Sequence, residues 1–187
     1  MKSDWTLPGS VKDAQSITSD WTSTQQCLIE GVRFREVRNV IKPNGVLTEL
    51  YRKDWQLDEL PVEQVFQVRL NPDALSAWHA HEVTTDRLFA STGSLLIVLF
   101  DARQDSPTYL QVNEFRCGFA RPGLITVPPK VWHGVCNIGP EPTTLINMVD
   151  RAYSYENPDH WRVPFDSKAI PYKVSAQLKN LDINAHK

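Results

Sequence analysis

Two histidines and a carboxylate stand close together in Trp78-His79-Ala80-His81 and Asp86, and a third histidine, His133, follows in Val131-Trp132-His133-Gly134. Side chains two apart on a strand project from one face, so His79 and His81 bring two imidazoles to the same surface. With Gly93 the first segment reads H-x-H-x4-D-x6-G, and the second, Gly123 to Asn137, reads G-x4-P-x4-H-x3-N. Such a set offers two kinds of chemistry. Neutral imidazoles can move protons near pH 7, and three nitrogens with one carboxylate can ligate a divalent transition metal. His79, His133 and Asp86 are therefore candidate catalytic groups. His79, His81, Asp86 and His133 form a candidate metal set, and the sequence leaves the identity of the ion open.

The elements that must position these residues are strands. From Val32 onward, short stretches of Val, Leu, Phe and Thr recur between Gly, Pro, Asn and Asp, the pattern of an all-β fold. Strands are expected near 32–40, 46–51, 64–70, 76–81, 86–91, 94–101, 108–113, 115–120, 124–128, 131–137 and 143–149. Leu95 to Asp101 is apolar on both faces, which asks for cover on both sides. Ser91-Thr92-Gly93-Ser94 reads as the hairpin before it. Residues 1–30 form a polar arm with Trp5 and Trp21 as isolated anchors. Residues 31–150 form the barrel core, and residues 151–187, rich in aromatics, Pro and charge, form a segment that wraps it. A chain of 187 residues with 41% apolar side chains suits one domain.

Composition narrows the partners. A net charge of −2 with acids and bases interspersed offers no basic stripe for a nucleic acid. No signal peptide or long apolar run suggests a membrane, so a soluble, cytoplasmic protein is expected. Cys27, Cys117 and Cys136 are odd in number and far apart, which fits reduced thiols. Period 2 turns Trp78 and Trp132 away from the pocket, toward an outer or dimer face. His160 is expected to pack on the outside of the barrel and His186 to be solvated. Arg87 and Arg103 are weighed as contacts to an anionic ligand against surface ion pairs with neighbouring aspartates.

The two histidine segments resemble the paired motifs of the cupin superfamily, whose fold is a double-stranded β-helix, the cupin jelly roll. Asp86 stands at the usual Glu of the first motif, and Pro128-Pro129-Lys130 replaces the P-x-G of the second. The chain from about Gly45 to Pro171 further resembles the deoxysugar epimerases typified by dTDP-4-dehydrorhamnose 3,5-epimerase. Asp101-Ala102-Arg103 with Ser106-Pro107-Thr108 matches that family's D-x-R-x-x-S-P-T, and Val127-Pro128 through His133-Gly134 matches I-P-x-x-x-x-H-G.

This resemblance implies an isomerase that abstracts a proton beside the C4 ketone of a nucleotide-linked sugar, with His79 as base and His133 beside it. It implies Gln64, Glu49, Tyr51, Arg103 and Asn147 as substrate contacts, and a homodimer. Departures are specific. Ser76-Ala77-Trp78 and Asn44 stand where the family has phosphate-contacting arginines, Asp86 where it has a lysine, and Asn147 where it has the catalytic tyrosine. Tyr153 or Tyr155 is the substitute for that tyrosine, and Asp150 or Asp166 for the aspartate behind the base. Exchanging a lysine for Asp86 suits the site to a cation. A metal-dependent cupin oxygenase or lyase is the alternative reading, and a non-catalytic binding module the third.

Overall fold

In the computed structural model the described residues are 5–20, 24 and 27–173; Trp21 and His186 lie outside them. Twelve strands appear among the described residues: β1 (Arg33–Glu36), β2 (Asn39–Lys42), β3 (Gly45–Thr48), β4 (Gln64–Leu70), β5 (Leu75–Ala80), β6 (Asp86–Ala90), β7 (Ser94–Asp101), β8 (Val112–Gly118), β9 (Gly123–Val127), β10 (Val131–Asn137), β11 (Thr143–Val149) and β12 (Trp161–Arg162). One five-stranded sheet has the order β1-β9-β6-β11-β4, a second has β12-β5-β10-β7-β8, and β2 pairs β3 alone. The pairings are antiparallel. No described helix is long and apolar enough to cross a membrane.

Alternation along β7 explains how the two sheets pack. Leu95, Ile97 and Leu99 point into the core between the sheets with Leu88, Ile125, Val135 and Leu145. Leu96, Val98 and Phe100 point the other way, into a cluster with Trp78, Cys136 and Ile170. That second cluster lies on the face away from the pocket, where Trp78 was expected, but a segment of the same chain rather than a partner covers it. The indole is fully buried by the chain's own C-terminal segment: Tyr172 packs edge-on at 6.1 Å, and Nε1 donates to the Phe165 carbonyl at 3.3 Å. The outer face of the first sheet is covered likewise, by Leu50, Trp55 and Leu57 over Phe89, Leu124 and Met148.

Two expected strand boundaries differ. The stretch 32–40 divides into β1 and β2, and the expected strands 108–113 and 115–120 become turns followed by the single strand β8. The turns have an electrostatic cause. Asp101 is fully buried and accepts from Arg103 Nε at 2.8 Å, Ser106 Oγ at 2.6 Å and Thr108 Oγ1 at 2.7 Å. This curls 103–111 into a knot that the D-x-R-x-x-S-P-T residues build for themselves. Arg103 is thereby committed to Asp101 and the Glu30 carbonyl, not to a ligand. Arg87 is also not a surface pair: it is fully buried, with Nε 2.8 Å from Asp58 Oδ2 and further donors on the carbonyls of Leu60, Pro61 and Met148.

Glycine matters at two junctions. Gly93 has φ +61°, and a Cβ there would lie 2.2 Å from Thr143 Oγ1. A Cβ on Gly134, beside His133, would lie 2.5 Å from the Ala77 side chain, so β5 and β10 approach only because it is absent. The second cupin motif's glycine position is filled by Lys130, which adopts the left-handed φ of +66° and donates its N–H to the His81 carbonyl at 2.6 Å. Its Asn137 is buried and holds the Leu70 and Glu141 carbonyls, the Gly139 amide and Thr143.

Burial works to raise the Asp101 carboxyl, but hydrogen bonds from Arg103, Ser106 and Thr108 outweigh it and hold the group well below its usual range. Its contribution to stability is thus complete above the unfolded value near ~3.9 and is lost as pH falls below that toward the folded value. Asp101→Asn should cost roughly 3 kcal/mol at neutral pH. Denaturant unfolding at pH 7 and at acid pH should show the gap to the unsubstituted protein narrowing as pH drops.

Candidate functional site

Between the sheets lies a cavity of about 890 Å³. Its walls include Phe66, Val68, Leu88, Val135 and Leu145, and its polar lining includes His79, His81, Asp86, His133, Asn147 and Gln64. The strand register assembles this set. His133 on β10 pairs directly with His79 on β5, and a bulge follows before Val135. The His79 and His133 rings lie edge to face at 5.0 Å. His81 falls just past the end of β5, and Asp86 opens β6 on the opposite sheet.

Asp86 is buried and joins the two walls. Its Oδ1 accepts from Asn147 Nδ2 at 2.7 Å, while Oδ2 lies 3.3 Å from His81 Nε2 and 3.6 Å from His133 Nε2. The ligand atoms of His81, Asp86 and His133 all fall within 4.8 Å of one another, and His79 is not in this set.

His160 sits at the mouth, its ring 5.4 Å from His79 and 5.2 Å from His81, rather than outside the barrel. It arrives with Asp159, whose carboxylate accepts the amides of Glu82, Val83 and Thr84 at 2.6, 3.0 and 3.0 Å and the Thr84 hydroxyl at 2.8 Å. The Asp159 carbonyl meets His81 Nδ1. Burial works to raise the Asp159 carboxyl, and the hydrogen bonds outweigh it and hold the group below its usual range. An isolated Asp-His pair after Asn157-Pro158 carries no periodic signal; the adjacency of a turn and a fourth imidazole is the only hint in the sequence.

Three of the imidazoles, those of His79, His133 and His160, are pushed toward the neutral form. Burial, then the neighbouring His133, His160, Arg162 and His81, push His79 down to about 2. Burial also lowers His133, against the pull of Asp86, and lowers His160, where Arg162 adds to it. Nδ1 of His79 is buried with no hydrogen-bond partner, so neither Asp150 nor Asp166 supports it. Asp150 instead accepts the Thr85 amide at 2.7 Å.

Among the substrate contacts implied by resemblance, Gln64 and Asn147 line the cavity and Glu49, Tyr51 and Arg103 do not. Gln64 Oε1 accepts the Tyr153 amide at 2.8 Å, and Tyr153 lines the cavity with Tyr155 packed on it. Glu49 is exposed and pairs with Arg52. Tyr51 faces the Arg87 guanidinium at 5.7 Å. Sequence reasoning also missed Arg151 and Arg162 in the cavity lining, both exposed and with no side-chain ion pair or hydrogen bond among the described residues.

A jelly roll with an H-x-H segment at the end of one strand and a histidine facing it from the next defines a cupin. No protein-family profile matches the chain. It is 34% identical over 151 residues to the probable low-salt glycan biosynthesis epimerase Agl13 of Haloferax volcanii, covering 80% of this chain and 97% of that protein. It is 30% identical over 152 residues to the spore coat polysaccharide biosynthesis protein SpsL of Bacillus subtilis, covering 81% and 100%. The crystal structure of a dTDP sugar isomerase from Desulfovibrio desulfuricans superposes with a TM-score of 0.72 at 25% identity, over 78% of this chain and 91% of that one. The chain belongs to the sugar-epimerase family of these relatives, and its fold is that of dTDP-4-dehydrorhamnose 3,5-epimerase.

The Asp159 clamp gives a local test. Asp159→Ala should accelerate amide hydrogen exchange at Glu82, Val83 and Thr84 by about tenfold or more, equivalent to ~1.5 kcal/mol or more of lost local protection, with little change in the amides of β7.

Proposed function

We propose that this enzyme epimerises a 4-keto-deoxysugar carried on a nucleoside diphosphate. The carrying observation is His79: it lines the cavity, and among the described residues no group hydrogen-bonds to its ring, whereas His81 and His133 are engaged by Asp86. A ketone at C4 acidifies the adjacent C–H bonds by delocalising the electron pair as an enolate. His79 takes the proton from one face of the sugar. Tyr153, on the side of the other sheet, is assigned its return from the opposite face, which inverts the carbon.

Arg151 and Arg162 supply the counter-charge for the diphosphate that the chain lacks at the family's usual positions. Two exposed guanidiniums in the cavity lining, without side-chain partners among the described residues, suit an anionic anchor. The relatives' names favour this reading over the oxygenase, lyase and non-catalytic alternatives. A cytoplasmic setting, where nucleotide sugars are made, accords with three free cysteines. A homodimer accords with the exposed apolar Val65 on the edge strand β4 and with Ile41, Val46 and Leu47 on the β2–β3 hairpin.

Incubation with a dTDP-linked 4-keto-6-deoxyhexose should yield an epimer inverted at a carbon flanking the ketone, read by proton NMR couplings. Return of unaltered sugar, with no solvent hydrogen at either carbon, would sink the reading. Arg151→Ala and Arg162→Ala should each raise KM by roughly tenfold to a hundredfold, as expected for hydrogen bonds to charged groups, with a smaller effect on kcat.

A further inference from the structure

The resemblance to the epimerases makes Gln64 a substrate contact, but its side-chain oxygen is already engaged. Gln64 Oε1 accepts the Tyr153 amide at 2.8 Å, and Glu63 Oε2 accepts the Ala152 amide at 3.2 Å. Two consecutive side chains, one just before β4 and one opening it, thus hold two consecutive amides of the chain leaving β11. The far side of that chain is held as well. The Asp150 carboxylate accepts the Thr85 amide at 2.7 Å, and the Asp150 amide donates to the Thr85 carbonyl at 3.4 Å. Register makes the return possible: Val149 pairs Gln64, and its carbonyl accepts the Glu63 amide at 2.9 Å. The chain ends β11 opposite the residue that catches it again at Tyr153.

Tyr153 needs such holding. Its ring is half exposed and packs edge-on against Tyr155 at 5.4 Å, which is itself exposed, so burial does little to fix where the phenol stands. His79, in contrast, is set by the pairing of β5 with β10. A group that returns a proton to one face of one carbon must be placed closely, since a displacement of about 1 Å can cost on the order of 10²-fold in rate. Backbone hydrogen bonds from Glu63 and Gln64 supply for Tyr153 the placement that strand register supplies for His79.

We propose that Gln64 and Glu63 are positioning residues that hold Tyr153 over the sugar face opposite His79, and so decide whether the deprotonated carbon is inverted or restored. This rests on the epimerisation proposed above, with Tyr153 as the acid. After His79 takes the proton, the enolate has two fates. In one, the Tyr153 hydroxyl gives its proton to the far face: a C–H bond forms with inverted configuration, the phenolate regains a proton from solvent, and the His79 imidazolium loses one to it. In the other, the imidazolium returns a proton to the near face and restores the configuration, leaving deuterium where the ring has exchanged with heavy water. Both fates begin with the same abstraction, so displacing Tyr153 lowers inversion relative to exchange. Substitution at 64 separates this role from a substrate contact. A carboxylate there keeps the acceptor for the Tyr153 amide but lacks the amide donor that would meet a sugar oxygen.

The test is a reaction of the full-length protein in heavy water with a dTDP-linked 4-keto-6-deoxyhexose. NMR reads inversion in the product and deuterium in the recovered sugar. Gln64→Leu and Glu63→Ala should each lower the ratio of inversion to exchange by roughly threefold to tenfold, the effect of one hydrogen bond. Gln64→Glu and Glu63→Gln, which keep an acceptor, should hold the ratio of the unsubstituted protein, and Tyr153→Phe should take it to its floor. Without sugar, the Tyr153 amide should exchange faster in Gln64→Leu than in Gln64→Glu, and circular dichroism verifies that each variant is folded. An unchanged ratio in Gln64→Leu, or an equal fall in Gln64→Leu and Gln64→Glu, overturns the positioning role while epimerisation by the unsubstituted protein stands. Neither inversion nor deuterium with the unsubstituted protein defeats the functional reading, and the positioning role with it.

Discussion

The antiparallel pairing of β5 with β10 sets His79 against His133 in a wall whose neighbours are Val135, Leu88 and Leu145, and much of the pocket answers the demands of that pairing. Imidazoles this close repel one another if charged, and burial penalises the charge further. Neutral rings still need partners for their nitrogens. The Asp159 carbonyl and the Val131 carbonyl each meet one nitrogen, of His81 and His133, and Asp86 Oδ2 lies 3.3 and 3.6 Å from the other. His79 alone is left with a buried nitrogen unpartnered. An unsatisfied polar atom is costly in a structure without purpose for it, and here it belongs to one of the rings that line the cavity.

The frame around the pocket is built to spare those side chains from holding the sheets together. Period 2 along β7 fills the inter-sheet core on one side and the Trp78 cluster on the other. Two buried ion pairs, Arg87 with Asp58 and Asp101 with Arg103, close loops on either side of the core. Gly134 lets the two histidine strands approach. The C-terminal segment then does double service, covering Trp78 outside and delivering Asp159 and His160 to the mouth.

Much of this was legible in the sequence because the signals were periodic. Continuous apolarity from Leu95 to Phe100 marked a strand covered on both faces, and H-x-H with a distant His marked a cupin pocket. What escaped had no period. His160 comes from an irregular segment, and Arg151 and Arg162 are set apart only by lacking partners in three dimensions. Arg103 looked like a ligand contact because Asp, Arg, Ser and Thr cluster around it, yet that cluster satisfies itself. Lys130 shows that the left-handed turn of the second motif survives without glycine, at a cost of order 1 kcal/mol. The departures at Asp86 and Asn147 become intelligible as a pair, since the amide orients the carboxylate.

The central claim is that His79 moves the proton while His81 serves Asp86. Solvent deuterium wash-in on a nucleotide-linked 4-keto sugar, followed by NMR in the unsubstituted, His79→Asn and His81→Ala proteins, tests it most directly. His79→Asn should lose exchange by roughly 10²–10⁴-fold, the contribution typical of a general base, with His81→Ala impaired less. Exchange in His79→Asn at the rate of the unsubstituted protein would contradict the account.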